Sequence, residues 1–236
     1  MMSPDIFIKA APVVLQGLQL TLIITIASFL LGQLLALPLG LARQASSPLL
    51  RWPAAIYTFL IRGSPLLVQL FIIYYGLGQI PAIRNSILWP ILREPLYCGI
   101  IAISLNSAAY MAEVVAGALR RVPEGQTEAC ISLGISRRHR FTDVLLPQVY
   151  RELLPNIGNE IILVLKSSSL ASAVTIMEIT GVARAFTART FAPFEVFITA
   201  GILYLAIGFA FTFLFRLLER RYGITGTRTP APEASA

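Results

Sequence analysis

Long apolar tracts separated by short polar segments set the pattern of this chain. No Asp, Glu, Lys or Arg occurs between Lys9 and Arg43. A helix that crosses a bilayer needs about 20 predominantly apolar residues. Five tracts meet that condition, at 13–42, 64–83, 95–119, 153–177 and 192–215. The first is longer than the roughly 7–15 residues of a secretory h-region, so it is expected to persist as an uncleaved span. The pattern predicts an all-α integral membrane protein with about five transmembrane helices, without internal repeats and without a second domain.

Composition and charge orient that stack. Of 236 residues, 56% are hydrophobic and 13% charged, against about 25% charged in soluble domains. The net charge of +7 is unevenly spread. With five spans and the N-terminus outside, the inner segments hold Arg43, Arg51, Arg62, Arg120, Arg121, Arg137, Arg138, Arg140, Arg151, Arg216, Arg220, Arg221 and Arg228. The outer segments hold only Lys9, Arg84, Arg93, Arg184 and Arg189. The positive-inside rule favours this orientation. The basicity therefore reads as topology and as contact with anionic membrane lipid, and no nucleic-acid partner is expected. Residues 1–12 are expected as a periplasmic N-terminal segment along the surface, 13–220 as the transmembrane domain, and 221–236 as a disordered cytoplasmic tail rich in Thr, Pro, Ala and Gly.

Polar and small residues inside the tracts add detail. Residues 54–62 predict a short interfacial helix. At Arg62-Gly63-Ser64-Pro65-Leu66 the run breaks, because Pro65 lacks an N–H and clashes with the carbonyl of Ile61. Ser64 is expected as an N-cap and Pro65 as the first helical residue. Ser104, Ala108, Ala112 and Ala116 recur every four residues, a ridge suited to close helix packing. Asn106, Tyr110, Glu113 and Gly117 form a second, polar stripe facing protein or a cavity. Glu113, which precedes Arg120 on that helix, is expected to pair near the inner face. Between spans three and four, Pro123 and Gly134 bracket one short helix, and Ser136 caps a second that ends near Leu146.

Glu160 and Lys166 stand inside the fourth tract, where a charge costs about 2.5–3.5 kcal/mol on insertion scales. Six residues apart on a helix, they face about 240° away from each other and do not share a face. Asn156 and Ser167 share the face of Glu160. Carboxylate, amide and hydroxyl together suit a cationic substrate group in a dry site. The alternative is a shallower or protonated Glu160, or one paired with Arg62 or Arg151. Asn106 is a second candidate contact or merely helix glue, and Lys166 is expected to pair or to snorkel.

Chemistry by this chain alone is unsupported. Lys9 and Lys166 are its only lysines and neither follows a glycine, so there is no P-loop. No protease motif is present. His139, Cys98 and Cys130 are too few for a zinc site, and the topology puts the two cysteines on opposite sides of the membrane. No cofactor bound by this chain is expected.

The polar segment 128–147 reads Glu128-Ala129-Cys130, then Gly134, Val144 and Leu146-Pro147. It resembles the cytoplasmic docking loop of ABC-importer permeases, whose pattern is EAA, three residues, Gly, nine residues, Ile, one residue, Leu-Pro. Cys130 replaces the second alanine and Val144 the isoleucine. The resemblance extends over about 13–220. It includes Arg62-Gly63-Ser64-Pro65-Leu66, the stretch Leu105 to Glu113, Val122-Pro123-Glu124-Gly125-Gln126, and Gly158-Asn159-Glu160 ahead of Lys166-Ser167-Ser168-Ser169-Leu170. These segments are similar to permease subunits of the polar amino-acid ABC importers, the histidine, arginine, glutamine and opine systems. That family's usual Lys-Asp-Ser/Thr-Ser-Leu has Ser167 here in place of the aspartate, so any role of that acid is missing.

The resemblance implies a type I ABC-importer permease fold (MetI-like) with a cytoplasmic coupling helix, in the bacterial inner membrane. It implies two ABC ATPase subunits that bind ATP and Mg, a second permease subunit (identical or a sister chain), and a periplasmic substrate-binding protein. Expected ATPase-docking residues are Glu128, Ala129, Cys130, Leu133, Gly134 and Pro147. Expected substrate contacts are Glu160, Asn106, Asn156 and Tyr110, for a polar, cationic amino acid or opine moved by alternating access. The competing reading is a proton-coupled secondary amino-acid carrier without ATPase partners, with Glu160, Glu113 and Glu178 as a relay.

Overall fold

A computed structural model describes residues 4–222, and every regular element among them is helical. Residues 223–236 of the expected tail lie outside the described residues. Four helices are long and apolar enough to cross a membrane: Leu18–Arg43, Pro95–Arg121, Arg137–Val174 and Pro193–Arg221. A bent pair, Pro48–Gly63 with Leu66–Gln79, makes a fifth.

Within the expected N-terminal segment, Pro4–Leu15 folds as helix α1, and residues 1–3 lie outside the described residues. Ile6, Ala10 and Val14 recur every four residues and form one apolar face. Ala10 and Val14 are fully buried in a cluster with Ile179, Ala183, Val196 and Ala200. The chain turns at Gln16–Gly17 and continues as α2, Leu18–Arg43.

Helix α2 packs most extensively on α7, Pro95–Arg121. The small ridge of α7 makes this possible: Ser104, Ala108, Ala112 and Ala116 are all buried. Glycines on α2 meet the same helix. A Cβ at Gly32 would lie 2.8 Å from the Ser107 hydroxyl oxygen, and one at Gly40 would lie 2.9 Å from the Ala112 carbonyl. Close approach replaces the hydrophobic effect as the source of helix association in lipid.

At the arginine-bearing ends of these helices, Glu113 does not pair with Arg120. It accepts from Arg43 of α2 at 2.7 Å and from Thr58 of α3, Pro48–Gly63, at 2.9 Å. Seven residues along one helix, Arg120 lies about 10 Å further up the axis. A neighbouring helix therefore supplies the counter-ion instead.

The second span is broken. Helix α3 begins at Pro48, well before the expected 54, and ends at Gly63. Pro65, not Ser64, is the N-cap of α4, Leu66–Phe71. Ser64 instead turns back, its hydroxyl donating to the Leu60 carbonyl at 2.8 Å. A π turn at Ile72–Gly76 and a 3-10 turn at Leu77–Gln79 finish the span, which bends by 106° between α3 and α4. Two four-residue helices, α5 (Pro81–Arg84) and α6 (Trp89–Leu92), lead to α7.

After α7 come α8, Glu124–Ser132, and α9, Arg137–His139, whose N-cap Ser136 accepts from the His139 amide. The second short helix does not end near Leu146. A π segment, Arg140–Leu145, carries it directly into α10, Leu146–Ser168. Pro147 explains the wider turn. It has no N–H to donate, and the preceding Leu146 amide reaches back five residues to the Phe141 carbonyl. Helix α10 packs on α2, α7 and α12, with Ile161 and Val164 joining Ile24, Phe29, Leu70 and Ile103 in the central core.

A 3-10 turn, Ser169–Val174, leads to α11, Ile179–Thr190, and then α12, Pro193–Tyr222. Glu178 caps α11, accepting from the amides of Thr180 and Gly181 at 2.8 and 2.9 Å and from the Tyr204 hydroxyl at 2.5 Å. Burial pushes its carboxyl above the usual range, against the opposing pull of these donors.

The α2–α7 contact yields a stability prediction. Gly40→Val should destabilise by about 1–3 kcal/mol through overpacking, lowering the thermal midpoint of the purified protein. Gly117→Val, at a position with nothing within 4 Å of an added Cβ, should change it far less.

Candidate functional site

The break at Ser64–Pro65 opens a cavity. Pro65 leaves the Ile61 carbonyl without its usual backbone donor. The side-chain amide of Gln69 fills the gap, donating to the carbonyls of Ile61 at 2.7 Å and Ser64 at 3.0 Å, with the Ser64 hydroxyl 2.9 Å away. The other end of that amide accepts from Asn106 of α7 at 3.0 Å. Gln69 is 8% exposed, so these bonds form away from water. One glutamine thus holds the bend open and fixes Asn106.

Arg62, Ser64, Asn106, Ser107, Tyr110, Glu160 and Ser167 supply the polar lining of the cavity, whose volume is about 630 Å³. Leu66, Ile103, Leu163, Val164 and Leu170 supply the apolar lining. Glu160 of α10 is 7% exposed and accepts from the Ser107 hydroxyl at 2.6 Å. No salt bridge joins it to a described residue, so neither Arg62 nor Arg151 neutralises it. Asn106 spends its N–H on Gln69 and has its carbonyl oxygen to offer a ligand. Tyr110 is half exposed, with the Arg62 guanidinium 5.4 Å from its ring centre.

Three of the four expected substrate contacts, Glu160, Asn106 and Tyr110, come together here. Asn156 does not. It is exposed one turn earlier on α10, its amide directed to the Glu152 carbonyl. A shared helix face was insufficient, because the cavity is bounded at the level of Glu160 by the bend in the second span. Sequence reasoning missed Ser107 as the partner of Glu160, Gln69 as the brace, and Arg62 as a lining group. Gln69 carried a signal: it is a lone amide four residues after a proline inside an apolar tract. Lys166 lies outside this cavity, exposed in a groove with Tyr204 and Gly208 of α12.

Beyond the basic end of α7 stands the loop element. Helix α8 ends in a Schellman closure, with the Gly134 amide on the Ile131 carbonyl at 3.0 Å and the Ile135 amide on the Cys130 carbonyl at 2.9 Å. Gly134 has φ +67°, a left-handed conformation that favours glycine. Glu128, Ala129 and Leu133 are exposed, Leu133 by 77%, while Cys130 is buried. Pro147 is displaced from them, on the first turn of α10. The element is tethered by Gln148 of α10 donating to Gln126 at 2.6 Å, and the Arg121–Glu152 ion pair joins α7 to α10 beside it.

Several apolar spans, a polar cavity bounded by a broken helix, and a helix offering bare apolar residues beyond a basic end define the membrane-embedded subunit of a transport system. The chain belongs to the family of binding-protein-dependent transport system inner membrane components, whose model matches residues 35–224. It is 46% identical over 205 residues to the octopine transport system permease protein OccM of Rhizobium meliloti, covering 87% of this chain and 84% of that one. It is 41% identical over 211 residues to the arginine ABC transporter permease protein ArtM of Escherichia coli K12, covering 89% and 94%. A crystal structure of an amino acid ABC transporter with histidines superposes with a TM-score of 0.82 at 32% identity, covering 94% of this chain and 99% of that one.

The protein is therefore a multi-pass inner-membrane permease subunit of an ABC importer, with the MetI-like permease fold. It works within a complex of several subunits, is not itself an enzyme, and leaves ATP to partner ATPases. That membership sets aside the proton-coupled carrier.

The brace predicts an outcome for Gln69→Leu. Removing the amide takes a donor from two part-buried carbonyls, a net loss of about 0.5–1.5 kcal/mol for each hydrogen bond. The variant should insert but show a lower thermal midpoint and reduced uptake, whereas Gln69→Glu should not rescue it, having no N–H to donate.

Proposed function

We propose that this subunit carries a cationic amino acid or an opine inward by alternating access, through the cavity bounded by Glu160, Asn106 and Tyr110. One observation carries the reading: Glu160 is buried and has a hydroxyl, but no salt bridge to a described residue. An isolated buried carboxylate is costly, and a cationic substrate group supplies the missing charge each time it passes. Octopine and arginine, for which two relatives are named, both bear a guanidinium.

In this reading the N-terminus is outside and α8 faces the cytoplasm. Two ATPase subunits, which bind ATP and Mg, take hold of Glu128, Ala129 and Leu133, each from one permease of an identical or sister pair. The buried Cys130 and the left-handed Gly134 set the shape of that helix end. A periplasmic binding protein delivers substrate from the other side. ATP binding draws the two docking helices together and turns the cavities outward, and hydrolysis lets them return.

Two variants separate the cavity from the coupling element. Glu160→Gln should lower uptake of radiolabelled arginine at limiting concentration by about tenfold or more, as expected for loss of a charge-assisted contact. Full uptake would eliminate the charge-pairing role. Gly134→Val places a branched side chain where the left-handed conformation costs about 1–2 kcal/mol. The protein should reach the membrane at normal level, while ATP-driven uptake and substrate-stimulated ATPase activity are lost. Normal coupling in that variant would refute the docking role of α8.

A further inference from the structure

The cavity carries both signs of charge. Glu160 is held against Ser107, and Arg62, the last charged residue of α3, lies over the ring of Tyr110. Ser107 and Tyr110 are three residues apart on α7, so their Cβ atoms are about 5–6 Å from each other. The acid and the guanidinium thus line one cavity without forming an ion pair with each other. Glu113 follows Tyr110 by three residues on α7. That carboxylate, however, is already engaged by Arg43 at 2.7 Å and Thr58 at 2.9 Å. No described residue forms a hydrogen bond with the Arg62 guanidinium, which leaves its planar fork of donors open to the cavity.

A low-dielectric cavity lined by one acid alone would accept any cation of suitable size. Opposite charges held apart across such a space favour instead a ligand that carries both signs and bridges them. The Arg fork matches a carboxylate bidentately, which an ammonium cannot do. We propose that Arg62 is a specificity-determining residue that binds the substrate's carboxylate, while Glu160 takes a cationic group of the same molecule. The site then selects amino acids over amines within the permease itself, independently of the binding protein. This proposal rests on reading the cavity as the substrate site.

The test is direct binding to the transporter complex purified from its native membrane in mild detergent, with no binding protein present. The probes are L-arginine and L-arginine amide, which keeps the cationic groups and lacks the carboxylate. Wild type should bind L-arginine about tenfold or more tightly than the amide, the loss expected for one charge-assisted contact. Arg62→Gln should bring the two within about threefold by weakening L-arginine alone, and Arg62→Lys, which keeps charge without the fork, should retain part of the preference. Glu160→Gln should weaken both probes together. If Arg62→Gln, or Arg62→Lys should the first variant not fold, keeps the full preference, Arg62 does not hold the carboxylate and the proposal falls while the cavity reading stands. If wild type binds neither probe, or Glu160→Gln leaves both unchanged, the cavity reading itself fails and takes the proposal with it.

Discussion

Hydrocarbon offers no hydrogen bonds, so each amide and carbonyl of a membrane span needs a partner inside the protein. Four of the spans meet that demand with long helices. The second does not, because Pro65 removes a donor and leaves the Ile61 carbonyl exposed to an apolar interior. Gln69 restores the balance with a side-chain amide and is itself tied to Asn106. The bend so stabilised lines a polar volume together with α7 and α10. A break that would be ruinous facing lipid is tolerated because it lines a cavity and is repaired from within.

The rest of the bundle keeps that cavity rigid. Helix α2 approaches α7 through Gly32 and Gly40 against a ridge of Ser and Ala, so the wall bearing Asn106, Ser107 and Tyr110 has a firm back. Arg43, Glu113 and Thr58 fasten α2, α7 and α3 to one another at the basic end. Toward the other end, Glu178 ties the start of α11 to α12, and the Ile179 amide donates to Thr21 of α2 at 3.1 Å. Between these two fastenings, Glu160 is left with a single hydroxyl. Glu113 and Glu178, each with more than one partner, hold helices together, and the proposed substrate role of Glu160 rests on that contrast.

The coupling element follows a different logic. It lies where the chain leaves the spans, so its backbone has water available and its shape is set by local chemistry. Gly134 supplies a left-handed turn, the Schellman bonds close α8, and Pro147 widens the following turn before α10 begins. Leu133 is 77% exposed, and no described residue covers it. Gln126–Gln148 connects the element to α10, which carries Glu160, and Arg121–Glu152 joins α10 to α7.

Much of this was written locally in the chain. The spans follow from uninterrupted apolar tracts, the close packing of α7 from a four-residue period of small side chains, and the end of α8 from a glycine at the right distance. Such features depend only on neighbours along one helix. What depended on other helices was not legible. The sequence pointed Glu113 toward Arg120, and the fold gave it Arg43 and Thr58. It grouped Asn156 with Glu160 by helix face, and the bend in the second span placed the cavity elsewhere. It gave no partner for the N-terminal residues, whose apolar face at Ile6, Ala10 and Val14 packs on α11 and α12. The sequence by itself determined which stretches are helices, where they break and which way the charges run, because propensity, periodicity and the cost of burying charge act along the chain. Only the tertiary structure decided which buried acid is left with a single hydroxyl partner among the described residues and which arginine shares its cavity, because those choices depend on distances between helices that no spacing along the chain encodes.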